Sequence, residues 1–171
     1  MIMSESKTTN EERLHQQIKD TFHKAFYDTV RQSLETQDYD HIVRLYTEIQ
    51  DRLAKILKKN GRAHDRLLSD FDVAFFEQRL RNNAFDGDSM VSLVNTTFSW
   101  IHNLQMPLRD SATSAAKDRV MNSGTTLLEV VPVYIMECHK CIDTLHADVN
   151  DFHDNRNHPV VQEMLRRAAG L

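Results

Sequence analysis

Cys138-His139-Lys140-Cys141 has the residue types and spacing for covalent or metal chemistry. A dithiol oxidoreductase needs its attacking sulfur at a helix N-terminus, where unpaired amides and the helix dipole favour the thiolate. Both cysteines instead fall inside a predicted helix. Three positions apart, they share the core-facing stripe of Ile135 and Ile142 and read as small buried apolar residues. Zinc takes four thiolate or imidazole ligands in a tetrahedron. His139, His146, His153 and His158 surround the pair, yet on one helix His139 and His146 lie at other angles, and no second Cys-x-x-Cys closes the site. Asp148, Asn150, Asp151 and Asp154 resemble a calcium loop superficially, without its turn glycine or closing glutamate. They read as a solvated acidic helix end. Phosphate-loop, nucleophile-elbow and His-Glu-x-x-His patterns do not occur. The expectation is a protein that is not an enzyme, with no catalytic residue, cofactor or metal.

Two basic features remain. Arg52, Lys55, Lys58, Lys59, Arg62 and Arg66 are interrupted among acidic residues only by Asp65. Most are expected in the last turns of a helix, where cations complement the negative dipole end. Lys58, Lys59, Arg62 and Arg66 are also candidate partner-binding residues, for an acidic protein surface or an anionic headgroup of a membrane touched peripherally. Arg109 is the other candidate. It follows Pro107 at a predicted helix-to-helix corner, and its planar donors suit helix-end carbonyls or a carboxylate such as Asp70, Asp72 or Asp86. An internal brace is the plainer expectation for it, and a partner contact the alternative.

The elements that place these residues follow from apolar spacing. Residues 1–10 read as a flexible tail leading to a helix start at Thr9, with Glu12 as its capping-box partner. Leu14, Ile18, Phe22, Ala25, Phe26, Thr29, Val30 and Leu34 recur in steps of three and four, which predicts a core stripe. Ile42, Leu45, Ile49, Leu53, Ile56 and Leu57 predict a second helix ending at Gly61, in the left-handed conformation that glycine tolerates. A short helix capped by Ser69 or Asp70 carries Val73, Phe76 and Leu80. Met90, Leu93, Val94, Thr97, Ile101 and Leu104 predict the most buried helix, stopped by Pro107. Asp110 or Ser111 caps a small-residue helix to Met121, and Asn122-Ser123-Gly124 turns the chain. Leu127 to Phe152 forms the last long pattern, with Pro132 expected to kink it near Leu128 or to delay its start. Leu127 to Ile135 taken alone could be a strand, but the flanking spacing is helical. Pro159 opens a short terminal helix carrying Val160, Val161, Met164, Leu165 and Ala168.

Only 4 Gly and 3 Pro in 171 residues argue against a turn-rich β fold. The expected class is all-α, an irregular bundle of about six to seven helices with no sheet, in a single domain over residues 11–171. A net charge of −4 provides no field for a nucleic-acid backbone. Cysteines three apart do not staple a secreted domain, and no stretch is apolar enough to span a membrane. A soluble, intracellular, cytoplasmic setting is therefore expected.

The order of motifs resembles the t-complex protein 11 family between about His23 and Phe152. Phe26 with Tyr39-Asp40-His41 and Leu45-Tyr46-Thr47-Glu48-Ile49 is similar to that family's opening helix pair. Asp70-Phe71-Asp72 with Gln78 resembles its Asp-x-Asp-Leu-Ile-x-Gln segment. Asn83-Ala84-Phe85-Asp86 stands where the family has Gly-Ala-Leu-Asp, and Met106-Pro107-Leu108-Arg109-Asp110 where it has Ala-Pro-Val-Arg-Asp. The resemblance is to the N-terminal part of the family domain, as in a shortened member. It implies an all-helical protein without established catalytic residues, linked to regulation of cyclic-AMP and protein kinase A signalling.

The expected function is a helical protein-interaction module, a regulator or adaptor in that type of signalling. A second reading is a structural component of a virion or other large complex, forming a homo-oligomer through Phe75, Phe85, Phe98 and Trp100. A third is a redox or metal-binding protein using Cys138 and Cys141.

Overall fold

The computed structural model describes residues 2–154 together with Pro159, Gln162, Glu163, Arg166 and Arg167. Among them the chain forms α1 (Ile2–Glu35), α2 (Tyr39–Ala54), α3 (Arg62–Asp70), α4 (Val73–Arg81), α5 (Gly87–Leu104), a 3-10 turn (Pro107–Arg109), α6 (Asp110–Met121) and α7 (Leu127–Asp154). No strand occurs among the described residues, so the all-α class holds. The expected terminal helix from Pro159 lies largely outside the described residues.

Helix α7 packs against α1, α2, α5 and α6. Its Val131, Tyr134, Ile135, Cys138, Ile142 and Leu145 are buried at helical spacing. The Tyr134 hydroxyl lies 2.8 Å from Thr97 Oγ1 inside the core, joining α7 to α5. That pairing satisfies two hydroxyls that would otherwise be buried without partners. Pro132 neither delays the helix nor gives way to a strand, because α7 begins at Leu127 and runs through it. Its missing amide removes one bond near the helix start, where surrounding helices hold the backbone in place.

Helix ends depart from several expectations. Helix α1 extends to Ile2, so Thr9 lies within it and is not a start. At its other end Gln37 takes a left-handed φ of 58°, while the Asp38 amide donates to Ser33 O at 2.8 Å. The Gln37 amide reaches Leu34 O, completing a Schellman end in which Gln stands where glycine is usual. Asn83 does the same for α4, with φ 53° and the Ala84 amide on Arg79 O at 2.8 Å.

Helix α2 stops at Ala54, well before Gly61. Gly61 has an ordinary φ of −81° and precedes α3, a helix not foreseen from spacing. The left-handed residue there is Asn60, at φ 60°. The cap of α4 is Asp72, which accepts the Phe75 amide at 3.0 Å, rather than Ser69 or Asp70. Helix α5 ends at Leu104, and Pro107 opens the 3-10 turn instead of stopping a helix. Met106, immediately before the proline, is extended at ψ 145°, the conformation that the proline ring imposes on its neighbour. Arg109 precedes α6 and neither Asp110 nor Ser111 caps it. At Gly124 the turn is closed by contact, since an added Cβ would lie 2.2 Å from Glu129 Oε2.

The predicted stripe of α1 divides in two. Val30 is fully buried, and Phe26 and Leu34 pack against the core. Leu14, Ile18 and Phe22 remain 59%, 47% and 71% exposed. Two of the four aromatic residues assigned to self-association are core residues, because Phe98 and Trp100 are buried. Phe85 is half-buried and Phe75 is exposed.

Candidate interaction sites

The corner after α5 is built around fixed charges. Arg109 Nε and Nη2 donate to Asp148 Oδ2 and Oδ1, both at 3.0 Å. The partner is thus Asp148 on α7, not Asp70, Asp72 or Asp86. Nearby, Arg119 Nε and Nη2 donate to Glu137 Oε1 and Oε2, again both at 3.0 Å. Both carboxylates are buried, whereas both guanidinium groups reach solvent. Each pair is a fork joining the α6 side of the molecule to α7. Their carboxylates raise the pKa of Arg109 and Arg119 further above the usual arginine value through these hydrogen bonds.

Gln105 continues the brace, donating to Asp110 Oδ1 at 2.9 Å and accepting from Thr113 Oγ1 at 2.5 Å. Arg167 donates to both Asp110 carboxylate oxygens, and that interaction is the leading reason the Asp110 pKa lies below the usual value. Arg119 and Glu137 were not singled out in the sequence. The available signal was Glu137 and Asp148 on the inward face of α7, where a carboxylate needs a cation. A groove of about 180 Å³ lies over this network and exposes an edge of Cys141.

The Cys-x-x-Cys pair lies within α7, as expected. Cys138 is fully buried and Cys141 partly so. Burial is the main cause pushing both thiol pKa values up, opposite to what an attacking thiolate requires. His139 does not turn toward them. Its ring lies edge-on to Phe26, with centroids 6.4 Å apart, and its Nδ1 is 2.9 Å from Arg52 Nη1. Burial, then the Arg52 charge, lowers the His139 pKa, consistent with a neutral ring accepting the arginine proton. His146 Nε2 lies 3.0 Å from the Arg52 carbonyl. No group of His, Cys, Asp and Glu among the described residues is arranged to hold a metal ion. The side chain of His153 and all of His158 lie outside the described residues.

Lys58, Lys59, Arg62 and Arg66 are exposed together. Lys58 and Lys59 lie in the 55–61 connection, Arg62 opens α3 and Arg66 sits midway along it, none of them in the final turn of a helix. Arg66 is anchored above Trp100, 5.8 Å from the ring centroid. This basic corner is therefore a surface feature placed by a turn, with Asn60 reversing the chain.

A larger groove, about 570 Å³, runs between α4 and α5. Tyr46, Phe76, Phe85 and Leu93 contribute its apolar lining, and Asp70, Asp72, Asp86 and Asp88 its carboxylates. Tyr46 and Phe76 stack at 4.2 Å, while Phe85 meets Phe76 edge-on at 5.3 Å. Burial and the Asp72 charge raise the Tyr46 pKa, so its phenol stays protonated. Sequence spacing placed these aspartates in separate segments and did not reveal that the end of α3 and the starts of α4 and α5 bring them together.

The motifs at Asp70–Asp72 and Asn83–Asp86 meet around that groove, and Met106–Asp110 makes the braced corner. A family model described as T-complex protein 11 matches residues 3–161. This chain belongs to the T-complex protein 11 family. The T-complex protein 11 match extends beyond the segment from His23 to Phe152 that carried the resemblance, and includes most of α1. No solved structure matches the chain. Asn83 now has a physical reading within the T-complex protein 11 pattern: its left-handed backbone is the conformation that favours glycine, with asparagine a tolerated substitute.

Proposed function

We propose that the chain is a non-enzymatic protein-interaction module that regulates or adapts cyclic-AMP and protein kinase A type signalling, the role linked to its family. The observation that carries this reading is the exposed row Leu14, Ile18 and Phe22 on α1. An amphipathic helix presenting anchors at four-residue intervals matches helix-in-groove recognition. The fork-like ion pairs support the same reading because their polar groups brace the fold instead of converging around a reacting atom. No helix among the described residues is long and apolar enough to cross a membrane. Two free cysteines agree with a reducing, intracellular setting.

The test is binding of the full chain to purified regulatory and catalytic subunits of protein kinase A, with cyclic-AMP-dependent kinase activity as a second readout. Replacing Leu14, Ile18 and Phe22 together by Asp should abolish binding and leave the melting temperature nearly unchanged. Absence of binding to either subunit, with no change in activity, would reject the signalling role. A second reading is favoured by the same exposed row: it could join copies of this chain in a structural assembly. Concentration-dependent sedimentation lost in the triple variant would support that assembly instead.

A further inference from the structure

The groove between α4 and α5 combines an aromatic wall with an unbalanced charge. Phe75 is 55% exposed at its edge, beside the packed Phe76 and Phe85. Four carboxylates, Asp70, Asp72, Asp86 and Asp88, face one guanidinium, Arg79. Arg66 lines an adjoining groove with Asp70, and the N-termini of α4 and α5 add about half a positive charge each, which leaves the groove negative by about one charge. Asp72 accepts the Phe75 amide at 3.0 Å, Asp86 accepts the Ser89 amide at 2.9 Å, and Asp70 accepts from Trp100 Nε1 at 2.8 Å. Three of the acidic groups are thereby held in place before a ligand arrives, which lowers the ordering cost of binding.

Arg79 is tied into the groove wall by its Nη2 and by its place against Phe75. Its Nη2 donates inward to Ala84 O at 2.6 Å and to Ser89 Oγ at 3.0 Å, and its guanidinium lies 5.5 Å from the Phe75 ring centroid. Its Nε is buried without a hydrogen-bond partner. The side chain is part of the wall. Nucleic acids and anionic membranes have the wrong charge for such a surface. A cation with an apolar stem has the right one, because arginine and lysine can lay methylenes on aromatic rings while their heads meet carboxylates.

We propose that this groove docks a short basic segment of a partner protein, in which arginine or lysine alternates with a bulky apolar residue. The segment lies along the α4–α5 cleft with its cations over Asp70 and Asp88 and its apolar residue against Phe75 and Phe85. This site is separate from the exposed row on α1, so it can be tested while that row is intact.

The probe is a fluorescein-labelled peptide of about ten residues, alternating arginine and leucine, added to the full chain and read by anisotropy. Binding should weaken about fivefold or more between about 50 and 300 mM salt, because surface charge attraction is screened. Asp88→Lys should weaken it about tenfold and Phe75→Ala about fivefold, the pattern of a charged and aromatic docking site. Both side chains are exposed, and neither caps a helix, so circular dichroism should show both variants folded. Asp118→Lys on α6 should bind like the unmodified chain. The proposal is overturned by no peptide binding, or by equal weakening in Asp88→Lys and Asp118→Lys, which would mean attraction to net charge alone. It is also overturned if sedimentation shows a dimer that Asp88→Lys dissociates, since the basic corner of a second copy would then be the occupant.

Discussion

Arg109 and Asp148 illustrate why a buried carboxylate is costly to strand. The pair is bidentate, and Asp148 is buried to 4% exposure. Arg109→Ala should cost about 2–3 kcal/mol in chemical denaturation, mainly by leaving that carboxylate without its cation. The Arg109→Ala/Asp148→Ala pair should lose less than the sum of its single changes, giving a measurable coupling energy. His139 makes a different residue-scale prediction. Its folded pKa is lowered, so the unfolded chain takes up its proton first as pH falls. Its contribution to stability is present above the unfolded pKa of about 6.5 and is lost as pH falls through the lower folded value. Arg52 opposes protonation, while Glu48 and Asp143 favour it. Thermal melts of the wild type and His139→Gln should therefore diverge in pH slope below about 6.5, with the wild type the steeper. The sequence already placed Arg109 at a corner and the cysteines inside a helix, but the identity of Arg109's partner depended on how α7 was oriented.

At the scale of elements, terminal backbone geometry decides more than composition does. Asn83 at φ 53° ends α4, and Gln37 at φ 58° ends α1. Asn83→Val should destabilise by about 1–2 kcal/mol because a β-branched residue resists the left-handed region, whereas Asn83→Gly should remain within about 0.5 kcal/mol of wild type. Denaturant midpoints of the two variants provide the comparison. Apolar spacing foretold α1, α2, α4, α5 and α7, since each buries at least part of a repeating face, and a run of small residues foretold α6. It missed α3, whose single fully buried apolar residue, Leu67, gives too little periodicity to read. Pro132 does not delay the start of α7, because packing on four helices keeps the helix from Leu127 onward despite one lost backbone bond.

Among the described residues, one helix projects from a packed body. Residues 9–22 of α1 are exposed on every face, while Val30 near its other end is completely buried. A solvated helix without tertiary packing is marginal even with good local bonds. Hydrogen exchange should accordingly show rapid exchange across residues 9–22 and strong protection around Val30; equal protection of both would require a partner or second copy covering the exposed half.

Helical class and the positions of most elements were determined by local sequence, because an amphipathic repeat can be recognised without knowing its neighbour. The same sequence defined the family through ordered motifs. Tertiary structure alone decided that the apolar row of α1 meets the core over only part of its length, that Phe98 and Trp100 face inward, and that distant aspartates share one groove. Those outcomes depend on which helix lies opposite each face, a relation set by long-range packing and not contained in the spacing along one segment.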